Sequence, residues 1–183
     1  MRERRSQGDF DMSTAATPDG RRTHTVVDSP IGALTLVATD GVLAGVYMEE
    51  HRHRPDGDTF GTRDDTGFDM VAQQLAEYFA GRRTDFDLPL APHGTPFQQQ
   101  VWAQLRAIPY GETVSYGELA ARMGRPSASR AVGLANGRNP ISVIVPCHRV
   151  VGSTGGLTGY AGGVERKRTL LDLERRVSGR ALL

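Results

Sequence analysis

The stretch SYGELAARMGRPSASRAVGLANG, residues 115–137, decides the fold of the second half of this chain. Ser115 and Glu118 have the S-x-x-E spacing of a capping box, which predicts that a helix begins here and ends at Gly124. Ser127 can cap a second helix, ASRAVGLAN, which closes at its final Asn-Gly step. Two short helices in succession predict a helix-turn-helix unit, which binds DNA in many proteins and is a plain packing motif in others.

The second helix is rich in small side chains, and the half of the chain around it is rich in arginine. The small residues are Ala128, Ala131, Gly133 and Ala135. They would let the helix backbone approach a nucleic-acid groove closely, or they would pack against the core. Residues 91–183 hold 12 Lys and Arg against 5 Asp and Glu, whereas residues 1–90 hold 10 against 16. Because arginine binds phosphate in a bidentate manner, the basic half favours a polyanionic partner.

The only cysteine, Cys147, follows the apolar run ISVIVP, residues 141–146, which we predict to be a buried strand. A single cysteine excludes an internal disulfide, so the thiol is free for chemistry, although many free cysteines are simply small buried apolar residues. A thiol attacks carbon as its thiolate, so the site must lower a pKa of about 8.5 or supply a base. His148 is the obvious base. Neighbours in an extended segment point to opposite sides, which favours a bridging water between the two side chains.

Glu174 is the candidate partner for the second ring nitrogen of His148. It stands at the end of a predicted helix, residues 164–173, one turn beyond Leu170 and Leu171. This spacing predicts that the carboxylate leans towards the buried face of the helix. The alternative is an exposed glutamate at a frayed helix end.

The loop GSTGGLTGYAGG, residues 152–163, lies between the cysteine segment and this last helix. It lacks the lysine and the strand-to-helix context of a phosphate-binding loop, so we do not interpret it as a nucleotide site. Its glycines instead predict a flexible wall that lets a planar base approach the backbone closely. Tyr160 is the single aromatic residue of the loop.

The apolar pattern of the first half of the chain predicts a small sheet. Three segments, THTVVD, GALTLVAT and LAGVYM, predict antiparallel strands between residues 23 and 48. The polar stretch 51–66 predicts a loop, in which His51 and His53 are exposed residues rather than metal ligands. Apolar residues at helical spacing then predict a helix over residues 68–80.

The pattern divides the chain into four parts. We predict a disordered arm (1–22), an N-terminal α/β domain (23–91), a second domain that begins before the helix start Thr95-Pro96 (92–176) and a short tail (177–183). No signal-peptide segment or long apolar run is present, which predicts a soluble cytoplasmic protein with no membrane partner.

The segment Pro146-Cys147-His148-Arg149-Val150 and its surroundings resemble one family, the O6-alkylguanine-DNA alkyltransferases, also called methylated-DNA–protein-cysteine methyltransferases. The surroundings that carry the resemblance are PYGETVSYGELA (109–120), SRAVGLANGRNP (129–140) and the glycine-rich loop. The match is highly specific and runs from residue 95 to residue 174, and the first domain agrees in length and pattern. The resemblance implies an α/β (α+β) fold, with a ribonuclease-H-like N-terminal α/β domain and a helical, winged-helix or helix-turn-helix DNA-binding domain.

The resemblance also implies the catalytic roles. Cys147 is the acceptor nucleophile, and His148 is its base, acting through a water. Glu174 orients and polarises His148, and Asn139 braces the turn that carries the cysteine.

Further residues are implied in substrate and DNA binding. Tyr116 donates its hydroxyl to a ring nitrogen of the flipped guanine, and the backbone at Cys147 and Val150 reads the base edge. Arg130 enters the base stack in place of the extruded nucleotide, with its helix in the minor groove. The remaining expected contacts are Ser115, Ala128, Ala131, Gly133, Tyr160 and Ala161.

The implied activity is DNA repair by a transferase that acts once. It would transfer an alkyl group from O6-alkylguanine in double-stranded DNA to its own cysteine, with O4-alkylthymine as an open second substrate and no cofactor. The chain would act as a monomer, and cooperative assembly on DNA stays open. Ala161 stands where some members have serine, so any contribution from a hydroxyl at that position is absent. Some members also bind zinc through cysteines of the first domain. This chain has no cysteine there, so we expect no zinc site. The alternatives are a non-catalytic binder of alkylated bases and a Cys-His thiol hydrolase.

Overall fold

The computed structural model describes residues 20–179, so most of the predicted arm and the last four residues of the predicted tail lie outside the described residues. The described end of the arm, Arg22, already belongs to the first strand, and residues 177 and 178 belong to the last helix. Within residues 20–179, no helix is both long and apolar enough to cross a membrane.

Three strands form the sheet that the first half predicts: β1 (Arg22–Val27), β2 (Leu34–Thr39) and β3 (Val42–Met48). β2 pairs with both neighbours in the antiparallel sense. The β2–β3 hairpin turns at Asp40 and Gly41, whose φ angles of 50° and 79° suit the left-handed conformation that such two-residue turns need. The antiparallel sheet is therefore confirmed.

The predicted loop 51–66 contains more structure than its composition indicates. A short 3₁₀ helix (Gly57–Phe60) leads to β4 (Thr62–Arg63), which pairs with β1 in the parallel sense and completes the order β3-β2-β1-β4. Phe60 is buried and stacks on Tyr47 with ring centroids 5.4 Å apart. This one aromatic residue holds the stretch against the sheet, so the predicted loop also contains a short 3₁₀ helix and an edge strand that its composition did not indicate.

The two histidines of this stretch differ in their surroundings. His53 is exposed, as predicted, with a left-handed φ of 61°. His51 is buried, its ring packs edge-on against Tyr47, and its Nδ1 accepts a hydrogen bond from the backbone N–H of Met48 at 3.4 Å. Burial, helped by the charge of Arg54, lowers the pKa of His51 to about 4. The expected exposure of His51 is therefore wrong, because its ring is part of the packing under the loop.

Between residues 20 and 179, five α-helices follow the predicted order. They are α1 (Asp69–Phe79), α2 (Pro96–Arg106), α3 (Tyr116–Arg122), α4 (Ser129–Gly137) and α5 (Val164–Ser178). Ser115 and Glu118 form the predicted capping box of α3, and α3 packs against α4 as a helix-turn-helix unit. Ser127 does not cap α4, because it lies within a 3₁₀ turn (Pro126–Ala128), and the residue before α4, Ala128, makes no side-chain cap bond.

The apolar run 141–146 is buried but is not the predicted strand. It forms a tight turn in which Val143 adopts a φ of 70°, and it makes a single bridge with the sheet, between Ile141 and Val46. The N–H of Val46 donates to the carbonyl of Pro140 at 2.9 Å, and Val46 O accepts from the N–H of Ser142 at 3.3 Å. The outer edge of β3 thus holds the turn that precedes Cys147.

A second, two-stranded sheet brings the helix-turn-helix unit to the cysteine. β5 (Val114–Ser115) pairs in parallel with β6 (Val150–Val151), so the start of α3 lies beside the segment that follows Cys147. One continuous apolar core joins the sheet of the first half to the helices of the second. The active-site segment is therefore fixed from both halves of the molecule.

Candidate active site

Cys147 lies at the start of a short 3₁₀ helix (Cys147–Arg149), directly after the turn 141–146. The backbone therefore turns between Cys147 and His148 instead of running extended, yet the structure records no direct hydrogen bond between their side chains. Cys147 is only 3% exposed and forms part of the wall of a cavity of about 570 Å³. A small reactive group must enter this cavity to reach the sulfur.

Asn139 braces the turn before the cysteine. Its Oδ1 accepts a hydrogen bond from the N–H of Ile141 at 3.0 Å, and its Nδ2 donates to the carbonyl of Val145 at 2.8 Å. Both bonds are buried and span the turn, so they offset the strain of the left-handed Val143. Asn136, which the sequence reasoning did not select, donates from Nδ2 to the carbonyl of Cys147 at 3.3 Å.

His148 and Glu174 form a completely buried pair, with His148 Nε2 at 2.7 Å from Glu174 Oε1. A carboxylate can only accept, so Nε2 carries the ring hydrogen and Nδ1 keeps a lone pair. His148 Nδ1 is buried and has no hydrogen-bond partner among the described protein atoms. Burial, helped by the charges of Arg149 and Lys167, lowers the pKa of His148 against the opposing effect of Glu174, so the ring is neutral and its Nδ1 can accept a proton.

Glu174 accepts five hydrogen bonds, which come from four residues. Besides His148, its carboxylate receives the Tyr78 hydroxyl at 2.7 Å, Arg149 Nε at 2.9 Å and Nη2 at 3.0 Å, and the N–H of Gly111 at 3.1 Å. Burial alone would raise the pKa of Glu174, but His148 and Arg149 outweigh it and hold this pKa well below its usual range. Because α5 continues past Glu174 to Ser178 and the side chain is fully buried, the frayed, exposed alternative is excluded.

The Cys147 thiol is held in its protonated form until a base acts. Burial raises the pKa of Cys147, while Asn139 and the charge of Lys167 oppose this rise. Lys167 is itself buried, and its Nζ donates to the carbonyls of Val150 at 2.6 Å and Thr158 at 3.2 Å. A fixed ammonium near the sulfur stabilises the thiolate once it forms.

The sequence reasoning missed Lys167, although a signal for it exists. Lys167, Leu170, Leu171 and Glu174 follow the i, i+3, i+4, i+7 spacing of a single helix face, and all four are buried. A lysine on a buried face needs partners for its charge, and here two backbone carbonyls supply them. Tyr78 carries no such local signal, because it lies 96 residues from Glu174 in the sequence.

The cavity is lined by α3, α4 and the glycine-rich loop. Of the predicted binding residues, those that line it are Tyr116, Arg130, Gly133, Tyr160 and Ala161. The Tyr116 hydroxyl donates to the carbonyl of Thr158 at 3.4 Å, a long bond that leaves it close to free. The Tyr160 hydroxyl is buried beside the Cys147 thiol and makes no hydrogen bond of normal geometry within residues 20–179.

The other predicted contacts lie outside the cavity lining. They are Ser115, Ala128, Ala131 and Val150. Val150 already uses both backbone groups, because its N–H donates to Cys147 O and its carbonyl accepts from Lys167. Its part in reading a base edge stays a prediction. On α4, Ala135 is a packing residue whose carbonyl accepts from the indole N–H of Trp102 at 2.9 Å, whereas Ala131 is exposed.

A metal site is not evident in the part of the chain that the structure describes. Residues 20–179 contain no group of three or more His, Cys, Asp and Glu side chains arranged to hold a metal ion.

A helix-turn-helix unit with a histidine-assisted thiol in a cavity beside its second helix defines a class of protein, the DNA-binding proteins with a nucleophilic cysteine. The comparisons give the family. Residues 96–176 match the family described as 6-O-methylguanine DNA methyltransferase, DNA binding domain, and residues 23–92 match its ribonuclease-like domain. The chain therefore belongs to the O6-methylguanine DNA methyltransferase family.

Relatives and solved structures agree with this membership. A methylated-DNA–protein-cysteine methyltransferase of Mycolicibacterium paratuberculosis is 53% identical over 156 residues, covering 85% of this chain and 94% of the relative. The protein of the same name from Salmonella typhimurium is 46% identical over 155 residues, covering 79% of this chain and 91% of its own. Mycobacterium tuberculosis OGT, solved in complex with DNA, superposes with a TM-score of 0.80 at 53% identity, covering 85% of this chain and 94% of that one.

Proposed function

We propose that this protein repairs DNA by transferring an alkyl group from O6-alkylguanine in duplex DNA to the sulfur of Cys147. The observation that carries the proposal is a buried thiol, Cys147, in the wall of a cavity that opens beside α4, followed directly by the buried hydrogen-bonded pair His148–Glu174. The names of the relatives, and the DNA complex of one of them, support the same substrate. The proposal includes O4-alkylthymine as a second substrate.

The transfer begins with loss of the thiol proton. His148 Nδ1 takes this proton through a bridging water, and the imidazolium that results is stabilised by the charged carboxylate of Glu174. Lys167 supplies a second positive charge near the developing thiolate. Because burial disfavours the thiolate, the Cys147 thiol stays protonated until His148 accepts its proton.

The thiolate then attacks the alkyl carbon in line with the O6 atom. A sulfur–carbon bond forms, the carbon–O6 bond breaks, and its electron pair leaves on the guanine ring. Tyr116, whose hydroxyl is only loosely held by Thr158, donates to a ring nitrogen and stabilises this charge. The proton taken from Cys147 ends on the released guanine, so atoms and charge balance without a cofactor.

The product explains why each molecule acts once. A thioether at Cys147 has no good leaving group, and its 3%-exposed position keeps water and other thiols away. We also propose that residues 92–176 form the DNA-binding domain that carries the nucleophile, its base and the orienting glutamate, and that the protein acts as a monomer in the cytoplasm. A single free cysteine suits that reducing compartment.

Stoichiometry tests the proposed function directly. Incubation with an excess of duplex containing O6-methylguanine should add the mass of one CH₂ unit to the Cys147 peptide and stop at one methyl group per protein. Multiple turnovers would instead identify a thiol hydrolase. Retained binding with an unmodified Cys147 would identify a protein that only binds the lesion.

Arg130 is proposed to fill the stack after the base leaves it. It is exposed near the beginning of α4 and lines the cavity, so it can enter the duplex as the nucleotide enters the protein. Base extrusion costs a few kcal/mol, so Arg130→Ala should slow repair of duplex lesions about 10- to 100-fold. The rate with free O6-benzylguanine should fall much less, because no base has to leave a stack. Equal losses on the two substrates, measured as second-order rate constants, would count against this role.

A further inference from the structure

The mouth of the cavity is shared by both halves of the molecule. Arg52 and His53, from the segment that follows β3, line it together with Arg138, the residue after α4. All three side chains are exposed. Arg52 and His53 come from the half of the chain whose overall charge is negative. The segment that carries them is locally basic, which the overall charge of that half does not reveal.

Hydrogen bonds fix the segment that carries Arg52 and His53. The N–H of Arg52 donates to the carbonyl of Ala161, in the glycine-rich wall, at 2.7 Å. Arg54 turns inward, and its guanidinium donates to Met48 O at 3.0 Å and to Thr35 Oγ1 at 3.2 Å. Arg54 therefore anchors the segment, while the two residues before it are presented at the cavity mouth.

The charges of Arg52 and Arg138 both act on the ring of His53. Slight burial and then the charges of Arg138 and Arg52 lower the pKa of His53, which places the three groups in one electrostatic neighbourhood. None of the ion pairs formed within residues 20–179 involves Arg52 or Arg138. A cluster of like charges without a bound carboxylate is the arrangement that an incoming anion stabilises.

We infer that Arg52 and Arg138, together with the polar ring of His53, form a cationic rim, contributed by both halves of the chain, that binds the DNA backbone beside the nucleotide extruded into the cavity. This inference rests on the proposed function and adds a contact that the helix-turn-helix unit alone does not supply. A base that enters the cavity brings its own sugar and phosphates to the mouth. The rim residues lie at this mouth, so they can contact those phosphates.

The geometry of α4 explains why one arginine does not suffice. Arg130 and Arg138 are eight positions apart, or about 12 Å along the helix axis, so an Arg130 side chain that fills the base stack cannot also contact the phosphates near Arg138. Arg138 also lies at the carbonyl end of α4, where the helix dipole disfavours an anion. A second cation, Arg52, and the polar ring of His53, both from the first half of the chain, offset this effect at the same mouth.

The test measures equilibrium binding of duplex containing O6-methylguanine, in a Cys147→Ser background that prevents reaction, over a range of salt concentrations. Arg52→Ala combined with Arg138→Ala should weaken binding roughly 10-fold or more at low salt, and should lower the slope of log affinity against log salt by about 2. Arg52→Lys, which keeps the charge, should restore its share of the slope. His53→Asn tests the ring while keeping a residue that tolerates a left-handed φ.

Arg82→Ala is the matched control, because Arg82 is an exposed arginine of the same domain that follows α1 and does not line the cavity. It should leave affinity and slope at the values of the background protein. The inference is overturned if the double variant behaves like Arg82→Ala, or if affinity falls with no change in slope. An equal loss on undamaged duplex would also overturn it, because no nucleotide is extruded there. Failure of the wild-type protein to methylate Cys147 would refute the proposed function separately.

Discussion

Replacing Cys147 with serine should abolish alkyl transfer completely while leaving the affinity for alkylated duplex DNA unchanged. The hydroxyl of serine is a far weaker acid than a thiol, and burial raises the pKa even of the thiol at this position. His148 is then too weak a base to produce an alkoxide. Intact-protein mass spectrometry after incubation with O6-methylguanine duplex would show no mass increase, and a binding titration would show an unchanged dissociation constant.

The serine variant is informative because it preserves the shape of the site. Oxygen is slightly smaller than sulfur, so the turn braced by Asn139 should remain intact. Any transfer by Cys147→Ser would mean that another residue accepts the alkyl group, and the assignment of the nucleophile would be refuted. Loss of binding along with transfer would show that the thiol also holds the cavity in shape.

Replacing Glu174 with glutamine should have the second largest effect, on both stability and rate. The change removes the charge that faces His148 and Arg149 and places an NH₂ group among five donated hydrogen bonds. Breaking one side of a buried ion pair costs about 3–5 kcal/mol, which unfolding in urea would measure. Loss of an oriented base should slow transfer by about 100-fold or more.

The pH dependence of stability gives this prediction a second readout. Because the folded protein holds the pKa of Glu174 below its ordinary value of 4.5, the charged carboxylate stabilises the fold fully above that pH. This stabilisation is lost progressively as the pH falls below 4.5. The difference in unfolding free energy between wild type and Glu174→Gln should therefore shrink in acid.

Glu165 supplies the control for this comparison. It is an exposed glutamate in the first turn of the same helix, paired with Arg168 on the surface at 2.8 Å. Glu165→Gln should change stability by less than about 1 kcal/mol and leave the transfer rate as in wild type. If Glu174→Gln behaved in the same way, the relay through His148 would be wrong.

The sequence predicted those features that depend on neighbouring residues. The capping box at Ser115, the helix-turn-helix unit and the buried direction of Glu174 all follow from spacing within a turn or two of helix. Cys147 and His148 were found because they are adjacent and because the surrounding motif is specific. Local rules of this kind need no knowledge of the rest of the fold.

Features that depend on distant contacts were missed or misread. The run 141–146 has the composition of a strand, and its burial was correct, but its conformation is set by Asn139 and by bonds to Val46, almost a hundred residues earlier. Tyr78 reaches Glu174 only because the first domain packs on α5. Periodicity cannot detect either contact, since neither changes the apolar pattern of its own segment.

The two edges of the four-stranded sheet affect how well the unreacted protein resists aggregation. An open strand edge is a template on which a second copy can add and begin to aggregate. Here the outer edge of β3 is occupied by the turn at Pro140 and Ser142, and the opposite edge is β4, two exposed residues followed by Asp64 and Asp65. A molecule that can react only once must stay folded and unaggregated until it meets its lesion. Sheet edges that do not pair readily with a second copy favour this resistance to aggregation.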